Sequence, residues 1–270
     1  MEPITASTEE SVELYWEAVG SGPAVLLIAG TPGDGGQFTD VAEKLASDHL
    51  VITYDRRGTS RSTTPAGWSE TTVAEQADDA AAILARVGVP RALVYGTSNG
   101  AAVALELALR HPRRVRRAIV HEMPLLSVLE DPAPVASAIG SLIGGAMQAG
   151  GPEVALDAFL RFAFGDAVVD GWTAELRERL LANAPIVFGV ELPAFQAYRP
   201  DPDELAACPV PVAVVVGEET QVPFFHEAAR WLAGHLGTAV GSAPGAHGAH
   251  FSHPAALAQA IRRIEGDGQG

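Results

Sequence analysis

Short, unbroken apolar runs separated by stretches of helical periodicity constrain this chain most. Ala24-Val25-Leu26-Leu27-Ile28-Ala29 contains no polar side chain and ends in a Gly/Pro loop. Leu50-Val51-Ile52-Thr53-Tyr54, Ala92-Leu93-Val94-Tyr95, Ala118-Ile119-Val120 and the run from Val210 to Val216 have the same character. A strand solvated on one face alternates apolar and polar residues, whereas one covered on both faces reads as continuous. Helical patterns at about 37–47, 72–87, 100–111, 223–236 and 254–264 lie between or after these runs. The order therefore predicts an α/β fold, a mostly parallel twisted sheet with helices on both faces. The stretch up to Gly20 is expected to supply an antiparallel hairpin edge, and the tail from Gly266 to Gly270 is expected to be disordered.

One segment interrupts the rhythm. From about Leu126 to Gln196 no strand pattern is visible, only helical pattern broken at Gly144-Gly145 and Gly150-Gly151-Pro152. This is too long for an ordinary loop, so a helical insertion between two sheet strands is the economical reading. No internal repeat is visible.

Composition narrows the classes. With 47% hydrophobic and 19% charged residues among 270, the chain can bury a large core. A net charge of −15 disfavours nucleic acid and anionic lipid as partners. The basic cluster Arg113, Arg114, Arg116 and Arg117 falls between a helix end and a strand, where cations suit helix-terminal carbonyls. No apolar run was expected to span a membrane, and the start shows no secretory pattern, so a cytoplasmic location is expected. The single cysteine, Cys208, excludes an intramolecular disulfide and a cysteine-based zinc cluster, and since it adjoins an apolar run it is expected to be a buried structural thiol.

The chemistry centres on Gly96-Thr97-Ser98-Asn99-Gly100. Gly-x-Ser-x-Gly alone is a weak signal in a chain with 28 glycines. Its context makes it specific: it follows the run Ala92–Tyr95 and precedes the helix-prone Ala101–Leu109. Strand, tight turn and helix are what a nucleophile elbow requires, with small residues where strand and helix approach closely. The helix then points its N-terminal N–H groups toward the serine.

The elbow resembles that of the α/β-hydrolase superfamily. Tyr54-Asp55-Arg56-Arg57-Gly58-Thr59-Ser60-Arg61-Ser62 is similar to the loop after that family's fourth strand, where Asp55 would be structural. The resemblance runs from about Val25 to Ile264 apart from the insertion. It implies a core domain of residues 1–125 and 197–270, with residues 126–196 as a helical cap domain. Ser98 becomes the nucleophile. The loop Ala29-Gly30-Thr31-Pro32-Gly33-Asp34-Gly35 becomes the oxyanion loop, with the N–H groups of Thr31 and Asn99 as donors. Ala29 replaces the histidine usual in that loop, a change that leaves backbone donors intact.

In this family the base follows the last strand. Pro244-Gly245-Ala246-His247-Gly248-Ala249-His250-Phe251-Ser252-His253-Pro254 offers three histidines. His247 stands in the register of the family base, His250 is the alternative, and His253 suits helix capping. The acid departs from the common pattern, because the usual Asp position after the strand ending at Gly217 is Thr220. A hydroxyl cannot orient and stabilise an imidazolium as a carboxylate does. Glu122, after the strand following the elbow, is the preferred acid, with Glu219 next. His121-Glu122-Met123-Pro124 resembles a stretch of the zearalenone lactonases, whose triad layout is similar.

The expected activity is cleavage of a small apolar carboxylic ester or lactone through an acyl-enzyme, with a Ser98-His247-Glu122 triad. Gly30, Pro32, Val187 and Phe188 are the expected substrate contacts. Phe159, Phe162, Phe164 and Trp172 suggest a greasy pocket or the cap's own core. Asn183-Ala184-Pro185-Ile186-Val187-Phe188 resembles a lactonase cap segment, but Val187 stands where a tryptophan is expected. No metal or organic cofactor is implied, and a homodimer is left open. The alternatives are a cofactor-free C–C bond hydrolase or perhydrolase on the same triad, or a low-turnover ligand-binding receptor of the same fold.

Overall fold

The computed structural model describes residues 4–6 and 12–266. β1 (Ile4–Ala6) and β2 (Val12–Leu14) form a small antiparallel pair. The main sheet comprises β3 (Trp16–Gly20), β4 (Ala24–Ile28), β5 (Leu50–Tyr54), β6 (Ala92–Thr97), β7 (Val115–His121), β8 (Val212–Gly217) and β9 (Val240–Ala243). Their spatial order is β3-β5-β4-β6-β7-β8-β9. β3 pairs antiparallel with β5, and the remaining neighbours are parallel.

The unbroken apolar character of β4 follows from its place inside the sheet. Val25 and Leu27 pack on one face with Leu45 of α1 (Thr39–Leu45). Leu26 and Ile28 pack on the other with residues of α2 (Val73–Arg86) and α3 (Asn99–Arg110). Burying each such aliphatic side chain contributes about 1.5–3 kcal/mol, so both faces select apolar residues.

Between β7 and β8 the chain forms α4 (Ala133–Gly150), α5 (Pro152–Phe164), α6 (Asp166–Asp170), α7 (Ala174–Leu181), α8 (Ala184–Ile186), α9 (Leu192–Ala197) and α10 (Pro202–Ala206). Leu156, Leu160, Val169, Ala184 and Val187 give this insertion a small core of its own. α11 (Pro223–His235) follows β8, and α12 (Ala249–Ser252) and α13 (Pro254–Gly266) close the chain.

Several details depart from the sequence reading. β9 was not anticipated, because Val-Gly-Ser-Ala at a sheet edge is mostly exposed and carries no apolar run. Cys208 is only half-buried, its thiol donating to the Val210 carbonyl. Ala174–Ala197 has, by length and composition alone, the measure of a membrane span, with a mean hydropathy of 1.3 in its most apolar window. A π-helical turn at Val187–Glu191 and prolines at 185 and 193 interrupt this stretch, and its Glu191 is fully buried in an ion pair with the core. Of the tail expected to be disordered, residues 267–270 lie outside the described part; Gly266 ends α13.

Candidate active site

β6 runs to Thr97 and α3 begins at Asn99, which leaves one residue to turn the chain. That residue, Ser98, takes φ 54° and ψ −130°. Such backbone stores roughly 1–3 kcal/mol of strain and persists only where the surroundings enforce it. The flanking glycines are required by close approach. A Cβ on Gly96 would stand 2.1 Å from the Gly100 carbonyl oxygen, and one on Gly100 would stand 2.3 Å from that of Ile28. Ser98 makes no capping hydrogen bond to α3, so its hydroxyl is not occupied as a helix cap.

The loop after β4 leans directly on this turn. A Cβ on Gly30 would meet Ser98 Cβ at 2.7 Å. Asn99 Nδ2 donates to Thr31 Oγ1 at 2.8 Å, which ties together the two residues expected to provide the backbone donors. Arg56 Nη2 reaches the Gly30 carbonyl at 3.4 Å from the other side.

Glu122 directly follows β7, also at a positive φ of 49°, and is almost fully buried. Its Oε1 accepts from the Gly217 N–H at 2.7 Å and, by a very short contact, from the Thr220 hydroxyl. Its Oε2 accepts from His247 Nδ1 at 2.8 Å. Burial pushes this carboxyl upward. The hydrogen bond and charge of His247, with help from His121 and Thr220, outweigh burial and lower it to about 2. The His247 ring is stacked between Phe225 (centroids 4.6 Å apart) and Phe164 (5.9 Å), each tilted by 20°. One of these aromatics comes from α11 and the other from α5 of the insertion.

The competing residues fall elsewhere. Glu219 is largely exposed and faces His253, 3.7 Å away. His253 also lies 2.8 Å from its neighbour Ser252 Oγ. His250 is fully buried among Phe38, Phe164 and Phe251, and neither ring nitrogen has a partner. Burial lowers its pKa to about 3, with the charges of His247 and His121 acting in the same direction. Asp55 is buried and accepts from the Gly35 N–H and from Arg61, consistent with a structural role.

Ser98, Thr31, Asn99, Thr220 and His247 open onto one cavity of about 400 Å³. Val187 and Phe188 line it as expected. Gly30 and Pro32 do not: Gly30 is pressed against the Ser98 side chain, and the buried Pro32 turns its carbonyl to Asn183 Nδ2 at 3.1 Å. Both were expected from loop position alone, which does not reveal where a tight turn points its side chains. The remaining walls are almost wholly apolar, including Phe159, Phe162, Phe195 and Phe224, and no Asp, Glu, Lys or Arg lines the cavity among the described residues.

The sequence reading missed three features. Thr220 enters the sequence reading only as a position lacking a carboxylate, yet its hydroxyl donates to Glu122. The aromatic clamp on His247 left no local signal, since Phe164 and Phe225 lie far from it in sequence. Arg56, just after β5, makes a buried pair with Glu191 at 2.8 Å and donates to Gln76 at 2.9 Å.

Comparison with known proteins agrees with this architecture. The family model described as alpha/beta hydrolase fold matches residues 23–139. A zearalenone hydrolase of Bionectria ochroleuca is 29% identical over 95% of both chains. A second, of Cladophialophora bantiana, is 31% identical over 60% of this chain and 68% of that protein. An uncharacterized hydrolase of Bacillus subtilis is 41% identical, but this chain spans only 43% of its length. A thermophilic esterase from Thermogutta terrifontis shares the fold over 98% of both chains, with a TM-score of 0.76 at 22% identity. The elbow between β6 and α3, the sheet order around it and these alignments agree: the chain belongs to the α/β-hydrolase fold family of hydrolases.

Proposed function

We propose that this protein is a serine hydrolase of neutral carboxylic esters or lactones, working through a Ser98-His247-Glu122 triad. The observation that carries the reading is the buried Glu122–His247 hydrogen bond at the wall of the cavity onto which Ser98 opens. His247 takes the Ser98 proton as the hydroxyl oxygen attacks the substrate carbonyl. Glu122 holds the imidazole by its Nδ1–H and stabilises it once charged. The N–H groups of Thr31 and Asn99 receive the oxyanion. Collapse of the tetrahedral intermediate expels the alcohol, which takes the proton back from His247. Water, activated by the same imidazole, then releases the acid from Ser98.

The helical insertion acts as a cap that supplies the apolar walls. Likeness over almost the full length to a zearalenone hydrolase favours a lactone among the candidate esters. The test is hydrolysis of short esters, long esters and lactones by the wild type and by Ser98→Ala. Turnover is expected to fall by about four orders of magnitude or more in the variant, given what loss of a triad nucleophile does elsewhere. Activity retained in Ser98→Ala would refute the proposal.

A further inference from the structure

The cavity wall formed by α4 is unusual in what it lacks. No charged residue occurs between Asp131 and Glu153, and α4 has no fully buried residue. Ala136, Gly140 and Gly144 are spaced four apart and so lie along one face of the helix. Together with Ile139 and Ile143, this face lines the cavity. Glycine in a helix interior lowers its stability, so its presence asks for a reason. Close helix packing is the common one, because a Cβ would then collide with a neighbour. It does not apply here: a Cβ on Gly140 or on Gly144 would meet nothing within 4 Å. The space above both glycines is open, and both line the cavity that holds Ser98, Gly140 exposed at its open side and Gly144 half-buried.

We propose that Gly140 and Gly144 form a recess that admits a long or bulky neutral acyl group and sets the upper size of substrate. Aromatic side chains, among them Phe159, Phe188, Phe195 and Phe225, line other parts of the same cavity. An apolar chain or ring lying along the bare α4 backbone would fill space that any larger residue would take. With no Asp, Glu, Lys or Arg in the lining among the described residues, a carboxylate or ammonium on the acyl group would lose its hydration without gaining an ionic partner. The selected class is therefore an uncharged ester or lactone with an extended apolar acyl portion. This inference rests on the ester-hydrolase reading above.

Gly145 supplies a matched control. It sits on the same helix, and a Cβ there also meets open space, but it does not line the cavity. The experiment measures kcat/KM for p-nitrophenyl acetate and p-nitrophenyl decanoate with the wild type, Gly140→Leu, Gly144→Leu and Gly145→Leu. The decanoate-to-acetate ratio is expected to fall by about tenfold or more in the first two variants, as small volume changes in an apolar pocket do. Gly145→Leu should keep the wild-type ratio. An unchanged ratio in both cavity variants, or an equal fall in Gly145→Leu, overturns the assignment. Gly144→Ala should give the same direction at smaller size, even where the leucine variant folds poorly. Binding of the neutral dye N-phenyl-1-naphthylamine separates this idea from the catalytic one. If no ester is turned over, the recess still predicts weakened dye binding in Gly140→Leu and Gly144→Leu but not in Gly145→Leu. Equal dye binding in all four proteins sinks it.

Discussion

Glu122 brings an ionised carboxylate into the interior, and three donors make that tolerable: the Gly217 N–H, the Thr220 hydroxyl and His247 Nδ1. A hydrogen bond to a charged group contributes roughly 1.5–3 kcal/mol, and removing one partner leaves the charge less compensated. Substitutions at Glu122, Thr220 and Glu219 should therefore rank by how closely each side chain touches His247 or the carboxylate that holds it. Glu122→Gln should lower kcat by about four orders of magnitude, as mis-set tautomers do in other triads. Thr220→Val should lower kcat by about tenfold, the loss of one charge-assisted bond. Glu219→Gln should leave kcat near wild type, because that side chain is turned out toward His253. Steady-state kinetics on a single ester checks all three, and a larger effect from Glu219 than from Glu122 would overturn the acid assignment. Ser98 and Glu122 were legible in the sequence because each directly follows an apolar strand run, and His247 because it stands in the register of the family base. The role of Thr220 was not, since its contact with Glu122 joins two strand ends that are 98 residues apart.

Elements were legible where the sequence demanded them on both sides. The inner strands are covered by helices on two faces, and that requirement writes itself as unbroken apolar runs. The insertion obeys looser rules. Its helices share a small core and a cavity wall, so apolar residues there do not reveal which surface they serve. The π-helical turn at Val187–Glu191 illustrates this, since such turns often occur at functional sites. It presents Val187 and Phe188 to the cavity and sends Glu191 to Arg56, which also reaches the Gly30 carbonyl. Arg56 and Glu191 are each only 1% exposed. Breaking a buried pair by removing one charge is far worse than replacing both, typically by about 3–5 kcal/mol. Glu191→Gln should therefore lower unfolding stability by that order, measurable as a reduced urea midpoint. A change within about 0.5 kcal/mol, the range of ordinary surface substitutions, would refute this account of the pair.

At the scale of the whole molecule, three buried groups around the site make stability depend on pH in one direction. Burial holds His121 at about 4 and His250 at about 3. Both values are depressed below the ordinary histidine value of 6.5, so below that pH the unfolded chain binds protons that the folded chain refuses. Stability then falls as pH drops from 6.5 toward 3–4, by up to about 1.4 kcal/mol per pH unit for each group. Glu122 acts in the same sense at lower pH: its folded value of about 2 lies below the ordinary glutamate value of 4.5, so its contribution is lost as pH falls from 4.5 toward 2. His250→Phe should flatten the slope of Tm between pH 6.5 and 4.5, since Phe38, Phe164 and Phe251 already surround that ring with apolar matter. A variant with the wild-type slope in thermal melts would remove His250 from this account. The order of strands and helices was readable over most of the chain, but this acid sensitivity was not, because it depends on which histidines the fold buries.

The uncharged lining of the cavity also bears on how a reaction there would end. On the proposed chemistry, a neutral ester enters and a carboxylic acid is left behind once Ser98 is free. When that acid loses its proton it becomes an anion whose partners are the N–H groups of Thr31 and Asn99 and the His247 ring, with no Lys or Arg lining the cavity among the described residues. Away from those donors the apolar walls offer a carboxylate nothing in place of water, and the net charge of −15 repels it further once outside. Product inhibition by the acid should then be weak, and ester synthesis run backward from the carboxylate should be slow. The same walls that welcome the substrate would let the charged product go easily.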